Sequence, residues 1–271
     1  MVNFCAVILA AGEGRRLRPL TSLVPKALCP VGNVPLLDHA LARVAGLPVA
    51  VNASYLAGQV VTHVGDRAHL SVEPDGPLGT SGGIVRLREW IDGRGVLVGN
   101  ADAYLSDPSR APGKDIEALL DGWSGETVRL LAQPLQPGEE GGFSGHRFAG
   151  FSLLPWRRVR DLVASPAGLV SDVWRPAEAD GELELIRYEG TYIDTGTPAD
   201  YLRANLHAAA GRNLIAASAE VTGDCTASVV GPSATVAGRV TRCVVWPGAE
   251  VTAGESLTDA IRAGRSLTVA G

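Results

Sequence analysis

The stretch that most restricts what this chain can fold into lies near its start. Residues 6–11, Ala6-Val7-Ile8-Leu9-Ala10-Ala11, form an unbroken apolar run. Such a run, with no polar alternation, reads as a strand buried on both faces, as in a parallel sheet covered by helices. It breaks into Gly12-Glu13-Gly14 and a loop holding Arg15, Arg16, Arg18 and Lys26. Glycines let backbone N–H groups approach anionic oxygens closely. Arginines and a lysine supply the counter-charge. A buried strand feeding two glycines and four cations predicts a polyphosphate site. The lysine adds weight, because the chain has only two, Lys26 and Lys114, against 22 arginines. An ammonium is a compact point charge suited to one phosphate group.

The rest of the first 210 residues continues the same alternation. Strands are predicted at 6–11, 49–52, 70–73, 95–99, 128–132 and 148–154. Helices are predicted at 36–44, 80–91 and 198–210, the last with Thr197 as N-cap and Pro198 at the first helical position. This order predicts a mostly parallel sheet flanked by helices, with ligands beyond the carboxyl ends of its strands. From about 214 the texture changes. Val230 and Val236 are six apart, as are Val245, Val251 and Leu257, and Ile261 and Leu267 repeat the interval. The runs are out of phase, with nine residues between Val236 and Val245. Hexad spacing of aliphatic residues predicts a parallel β-helix of about three coils. The expected division is a domain over 1–210 and a tail over 214–271. So short a tail should pack on the first domain or on another copy of the chain, making a homo-oligomer.

A net charge of −5 argues against a general nucleic-acid surface, so any anion site must be a local gathering of cations. No apolar run reaches about 18 residues, and no membrane association is expected. Cys5, Cys29, Cys225 and Cys243 are scattered, with no C-x-x-C pair. Cys5 reads as a small core residue. The N-terminus has no basic segment followed by a long apolar stretch, and the expected location is cytoplasmic.

The first loop resembles a known signature. Leu9-Ala10-Ala11-Gly12-Glu13-Gly14-Arg15-Arg16-Leu17-Arg18-Pro19-Leu20-Thr21 and Pro25-Lys26-Ala27-Leu28-Cys29-Pro30 match, in order, L-A-A-G-x-G-[ST]-R-[LM]-x-P-L-T and P-K-x-L-x-P. That pair of motifs marks the nucleotidyltransferases that join a nucleoside triphosphate to a sugar 1-phosphate. Arg15 departs from the usual Ser or Thr. The resemblance implies a Rossmann-like α/β domain with a mostly parallel sheet and a short C-terminal left-handed parallel β-helix. It implies catalytic roles for Arg16, Lys26 and Asp102, and nucleotide contacts from Leu9, Ala11, Gly12 and Gly14.

Further elements resemble the same family. Asn100-Ala101-Asp102 resembles its N-G-D, and Tyr192-Ile193-Asp194-Thr195-Gly196-Thr197-Pro198 its W-x-D-x-G-T-P. The resemblance implies that Asp102 and Asp194 bind Mg²⁺, an ion that favours one or two carboxylates with phosphate oxygens. Glu73-Pro74-Asp75-Gly76-Pro77-Leu78-Gly79-Thr80-Ser81-Gly82-Gly83 resembles its base-reading element, which implies nucleotide contacts from Glu73, Gly79 and Thr80. Asn52-Ala53-Ser54-Tyr55-Leu56 resembles N-x-x-Y-L and reads as structural. Arg147-Phe148-Ala149-Gly150-Phe151 resembles the segment whose glycine lies against the sugar. The lysine that many members carry before it, in an E-K-P-like segment, is missing from Leu131-Ala132-Gln133-Pro134-Leu135. Arg147 is the nearest cation to replace it, and Gly150 and Arg147 are the expected sugar-phosphate contacts.

The implied reaction makes a nucleoside-diphosphate sugar, with mannose 1-phosphate and GTP as the first choice. Glucose 1-phosphate with dTTP or UTP, and N-acetylmuramate 1-phosphate with UTP, come next. A phosphocholine cytidylyltransferase is a more distant alternative. A non-catalytic subunit that binds an NDP-sugar would usually have lost Arg16, Lys26, Asp102 or Asp194, all present here. A dinucleotide-binding domain lacks its third glycine. An acyltransferase built on the tail lacks any histidine there.

Overall fold

The computed structural model describes residues 3–163 and 168–271. In chain order the first elements are β1 (Phe4–Leu9), β2 (Pro30–Val31), β3 (Val34–Pro35), α1 (Leu36–Arg43), β4 (Val49–Ala53), α2 (Ala57–Val64), β5 (His69–Val72), α3 (Gly79–Arg86) and α4 (Arg88–Ile91). Then come β6 (Gly95–Asn100), β7 (Ala103–Ser106), β8 (Val128–Pro134), β9 (His146–Leu154), α5 (Trp156–Arg160), α6 (Arg175–Ala179), β10 (Leu183–Arg187), β11 (Thr191–Asp194) and α7 (Pro198–Ala209). The chain packs as two units. One comprises Met1–Glu13 and Leu37–Tyr192, the other Gly14–Leu36 and Ile193–Gly271. No helix among the described residues is long and apolar enough to cross a membrane.

The first unit is built on a seven-stranded sheet of order β10-β8-β9-β6-β1-β4-β5. All its pairings are parallel except those of β9, which runs antiparallel to both β6 and β8. β1 is buried along Cys5–Ile8, as its unbroken apolar sequence requires. Leu9 is in register with Asn52 on one side and Asn100 on the other. The carboxyl ends of β1, β4 and β6 therefore line one edge of the sheet. The predicted strand 6–11 stops at Leu9, because the Ala10 N–H leaves the ladder and donates to Asn52 Oδ1 at 2.7 Å. The predicted helix 80–91 is two helices, since Leu87, at φ −92° and ψ 3°, leaves helical geometry between them. The short β7, β10 and β11, and α2, α5 and α6, were not legible as separate elements.

In the second unit the predicted N-cap stands: Thr197 Oγ1 accepts from Asp200 N at 3.2 Å, and Pro198 opens α7. Beyond it lie β12 (Leu214–Ile215), β13 (Glu220–Val221), β14 (Asp224–Thr226), β15 (Val229–Val230), β16 (Thr235–Val236), β17 (Arg239–Thr241), β18 (Val244–Val245), β19 (Glu250–Val251), β20 (Ser256–Thr258), β21 (Ala260–Ala263) and β22 (Leu267–Ala270). They stack as three parallel ladders, β12-β15-β18-β21, β13-β16-β19 and β14-β17-β20. This is a β-helix, but not a hexad one. Leu214 pairs with Val229, Val229 with Val244, and Val244 with Ile261, so coils take 15, 15 and then 17 residues. One side of each coil spans six residues, from Val230 to Val236 and from Val245 to Val251, and the last coil has a second such side, from Val251 to Leu257. The interval of nine is the other two sides, turned at the buried Val240. Leu267 does not continue the coil, because β22 folds back antiparallel onto β21.

Candidate active site

Within the first unit, the carboxyl edge of the sheet carries a buried polar frame. Asn52 and Glu73 are each 2% exposed. Asn52 accepts from Ala10 N and donates to Glu73 Oε1 at 2.8 Å. Glu73 Oε2 accepts from Leu78 N, also at 2.8 Å, just before α3. Ser54 Oγ donates to the Glu73 carbonyl. One amide and one carboxylate thus tie the turn after β1 to the loop that opens α3. Both Glu73 oxygens accept bonds from the protein, while Gly79, at φ +76°, is exposed at the helix start. The Thr80 hydroxyl accepts from Leu169 N at 2.9 Å. Asn52 read from sequence as merely structural, and it is the hub of this frame. Its position opposite Leu9 at a strand end was the signal that could have marked it.

Asp102 is partly buried just beyond β6, where Ala101 N donates to the Leu9 carbonyl at 3.0 Å. Gly150 sits in β9 at φ +86°. A Cβ there would meet Ala103 Cβ at 2.6 Å, so close strand packing alone requires glycine. Arg147 lies directly opposite Gln133 in the β8–β9 register. Its Nη2 donates to Gln133 Oε1 at 3.2 Å, and its Nη1 to Glu139 at 3.0 Å. Its guanidinium lies over the Tyr192 ring, 5.4 Å from the centroid. Gln133 Nε2 donates to the Gly190 carbonyl at 2.6 Å. Glu139 escaped sequence reading, and Gln133 and Tyr192 entered it only as members of their motifs, because no spacing links them to Arg147.

Within the second unit, the cation loop winds through three 3₁₀ turns, Arg15–Leu17, Leu20–Ser22 and Lys26–Leu28. Gly14 opens it at φ +62°. A Cβ on Gly14 would sit 2.8 Å from Thr21 Cγ2 and 2.9 Å from Lys26 Cβ, so glycine lets the lysine stem pass. Lys26 is only 7% exposed, an unusual place for an ammonium unless it is paired. Its Nζ lies 3.6 Å from Asp194 Oδ1, and Arg16 Nη2 lies 3.5 Å from Asp194 Oδ2. Three predicted residues from distant parts of the chain thus meet. Arg16 and Asp194 are half or more exposed, and Lys26 is not. The cluster can present two positive charges and a carboxylate to an anion and its counter-ion.

Among the described residues no three or more His, Cys, Asp or Glu side chains gather as a metal site. Mg²⁺ takes one or two carboxylates and completes its shell with substrate phosphates and water. Asp102 and Asp194 are hard oxygen donors of that kind.

Comparison with known proteins accords with this geometry. Residues 6–129 match the MobA-like NTP transferase domain. The chain is 32% identical over 188 residues to the N-acetylmuramate alpha-1-phosphate uridylyltransferase of Neisseria meningitidis serogroup B, covering 65% of this chain and 77% of that one. It is 30% identical over 146 residues to the mannose-1-phosphate guanylyltransferase of Mycobacterium tuberculosis, covering 51% of this chain and 39% of that one. Its fold matches a crystal structure described as a glucose-1-phosphate thymidylyltransferase from Bacillus anthracis, with TM-score 0.65 and 21% identity over 76% of this chain and 95% of that one. With its signature loop, sheet edge and clustered cations in place, the chain belongs to the sugar-1-phosphate nucleotidyltransferase family.

Proposed function

We propose that the protein transfers a nucleotidyl group from a nucleoside triphosphate to a sugar 1-phosphate, releasing pyrophosphate. The observation that carries this reading is the meeting of Arg16, Lys26 and Asp194 in one cluster. An oxygen of the sugar phosphate attacks the α-phosphorus, and the bond from that phosphorus to the bridging oxygen of the pyrophosphate breaks. Such transfers need positioned charge more than a protein nucleophile. Arg16 and Lys26 hold the triphosphate and stabilise charge on the departing pyrophosphate. The frame of Asn52 and Glu73 fixes the loop at 78–80, where backbone meets the base. Asp102 and Asp194 would each offer a carboxylate to Mg²⁺, which would neutralise phosphate charge when bound. Arg147, held by Gln133 and lying over Tyr192, takes the part of the missing lysine against the sugar phosphate. Residues 1–210 form the catalytic domain and 214–271 the tail. A cytoplasmic setting fits four cysteines that form no disulfide.

Two substrate pairs stand first. GTP with mannose 1-phosphate is the first choice that the family resemblance offers, and the mycobacterial relative supports it. UTP with N-acetylmuramate 1-phosphate is supported by the higher identity to the Neisseria enzyme over most of that enzyme's length. A panel of four nucleoside triphosphates crossed with these sugar phosphates, read by pyrophosphate release, decides between them. No release with any pair would reject the reading. Asp102→Asn and Asp194→Asn should each lower turnover at least about a hundredfold while melting stays near that of the parent. Full activity of both would reject their metal role.

A further inference from the structure

The second unit contains a chain of buried hydrogen bonds that runs from the β-helix to the cation loop. The Trp246 indole N–H, 5% exposed, donates to Tyr201 Oη at 3.0 Å. Tyr201, fully buried in α7, donates its hydroxyl proton to the Pro30 carbonyl. Asn205, one turn further along α7, donates to the same carbonyl at 3.3 Å and accepts from Gly32 N at 3.0 Å. Asn33 Nδ2 donates to the Val230 carbonyl at 3.0 Å and the Leu214 carbonyl at 3.4 Å, both in the β-helix. Pro30 directly follows the turn that holds Lys26, where Cys29 N donates to the Lys26 carbonyl at 3.0 Å. The tail, α7, the β2–β3 hairpin and the Lys26 turn are therefore one hydrogen-bonded body.

A tail needed only for packing would meet α7 with apolar side chains. A buried tyrosine, tryptophan and asparagine are costly unless every polar atom is satisfied, and once satisfied they fix a single geometry. The ring edges of Tyr201 and Trp246 also meet, with centroids 6.3 Å apart and planes at 78°. Burial pushes the Tyr201 phenol well above its ordinary range, so it stays a donor at any working pH.

We infer that the β-helix tail sets the position of the Lys26 ammonium through Trp246, Tyr201 and Pro30, making Tyr201 and Trp246 positioning residues for nucleotidyl transfer. The inference rests on the reading of Lys26 as a triphosphate cation. Charge stabilisation in a transition state is sensitive to displacements of an ångström or less. Loosening the relay should therefore lower kcat more than it alters the KM of the sugar phosphate.

The test uses the full chain with Tyr201→Phe and, in case that variant folds poorly, Trp246→Phe, which keeps the ring and removes the donor. Each should lower kcat about tenfold and leave the sugar-phosphate KM within about twofold. In a Lys26→Gln background the same substitutions should have no further effect, because they act through the missing ammonium. Equal losses in both backgrounds, or parent kcat in folded variants, would overturn the inference. A second readout does not depend on activity. Protein labelled with ¹⁵N-lysine gives two backbone amide peaks, from Lys26 and Lys114. Tyr201→Phe should move the Lys26 peak and leave that of Lys114 in place. If the parent transfers no nucleotide at all while the Lys26 peak still moves, the functional reading fails and the relay stands. An unmoved Lys26 peak rejects the relay.

Discussion

Lys26 is a buried ammonium whose stem is threaded past Gly14 and whose charge faces Asp194. A guanidinium is wider and spreads its donors in a plane, so the same slot cannot take it unchanged. Lys26→Arg should lower turnover about a hundredfold, and saturating nucleoside triphosphate should not restore it, because the loss lies in transition-state charge. Steady-state kinetics over a wide nucleotide range checks this; parent-like kcat would contradict it. Residues of this kind were legible in the sequence, because two glycines, three arginines and a lysine share one loop that matches the family signature. Glu73 was legible only as a member of its motif. Which hydrogen bonds a carboxylate makes depends on what the fold brings to it, here Asn52 from a neighbouring strand and the N–H of Leu78. The Gln133–Arg147 pair was hidden for the same reason: it exists only through the register of two antiparallel strands.

At the scale of elements, β1 and β6 were legible because burial on both faces leaves an apolar run, whereas β10, only half-buried along its length, was not. The tail was read as a β-helix for the right reason and with the wrong period. Positions six apart lie on one side of each coil and, in the last, also between Val251 and Leu257, and the shorter sides break the count. Its last coil also carries an ion pair that composition could not reveal. Arg262 is 3% exposed and bonds Glu255, which in turn accepts from Thr252 N. These bonds, that from Arg262 first, hold the Glu255 carboxyl below its ordinary range. A depressed carboxylate stabilises the fold above its unfolded pKa and loses that contribution as pH falls through the folded value. Glu255→Gln should therefore lower the melting temperature near neutral pH by roughly 2–4 °C, the equivalent of about 1 kcal/mol. The gap from the parent should close as pH drops below about 4. A gap that persists unchanged at pH 3 would show that the pair contributes nothing through its charge.

For the molecule as a whole, the decisive fact is that residues 14–36 belong with 193–271 and not with the strand they follow. The cation loop carries three trypsin sites, after Arg15, Arg16 and Lys26, because the bond from Arg18 to Pro19 resists the protease. In the full chain the Lys26 site is buried and its turn is hydrogen-bonded. Ending the chain at residue 213 removes the Val230 carbonyl that Asn33 holds and the indole that holds Tyr201. Limited trypsin digestion should then cut after Lys26 at least about tenfold faster than in the full chain, since proteolysis tracks the population of locally opened backbone. Equal rates would show that the loop holds itself. The same division governs birth order. On the ribosome the loop at 14–36 is made well before its partners at 193–271. The loop has to wait without those contacts until the later segment is made. A chain cut short before Val230 would thus lack the carbonyl that Asn33 holds and the Trp246 indole that donates to Tyr201.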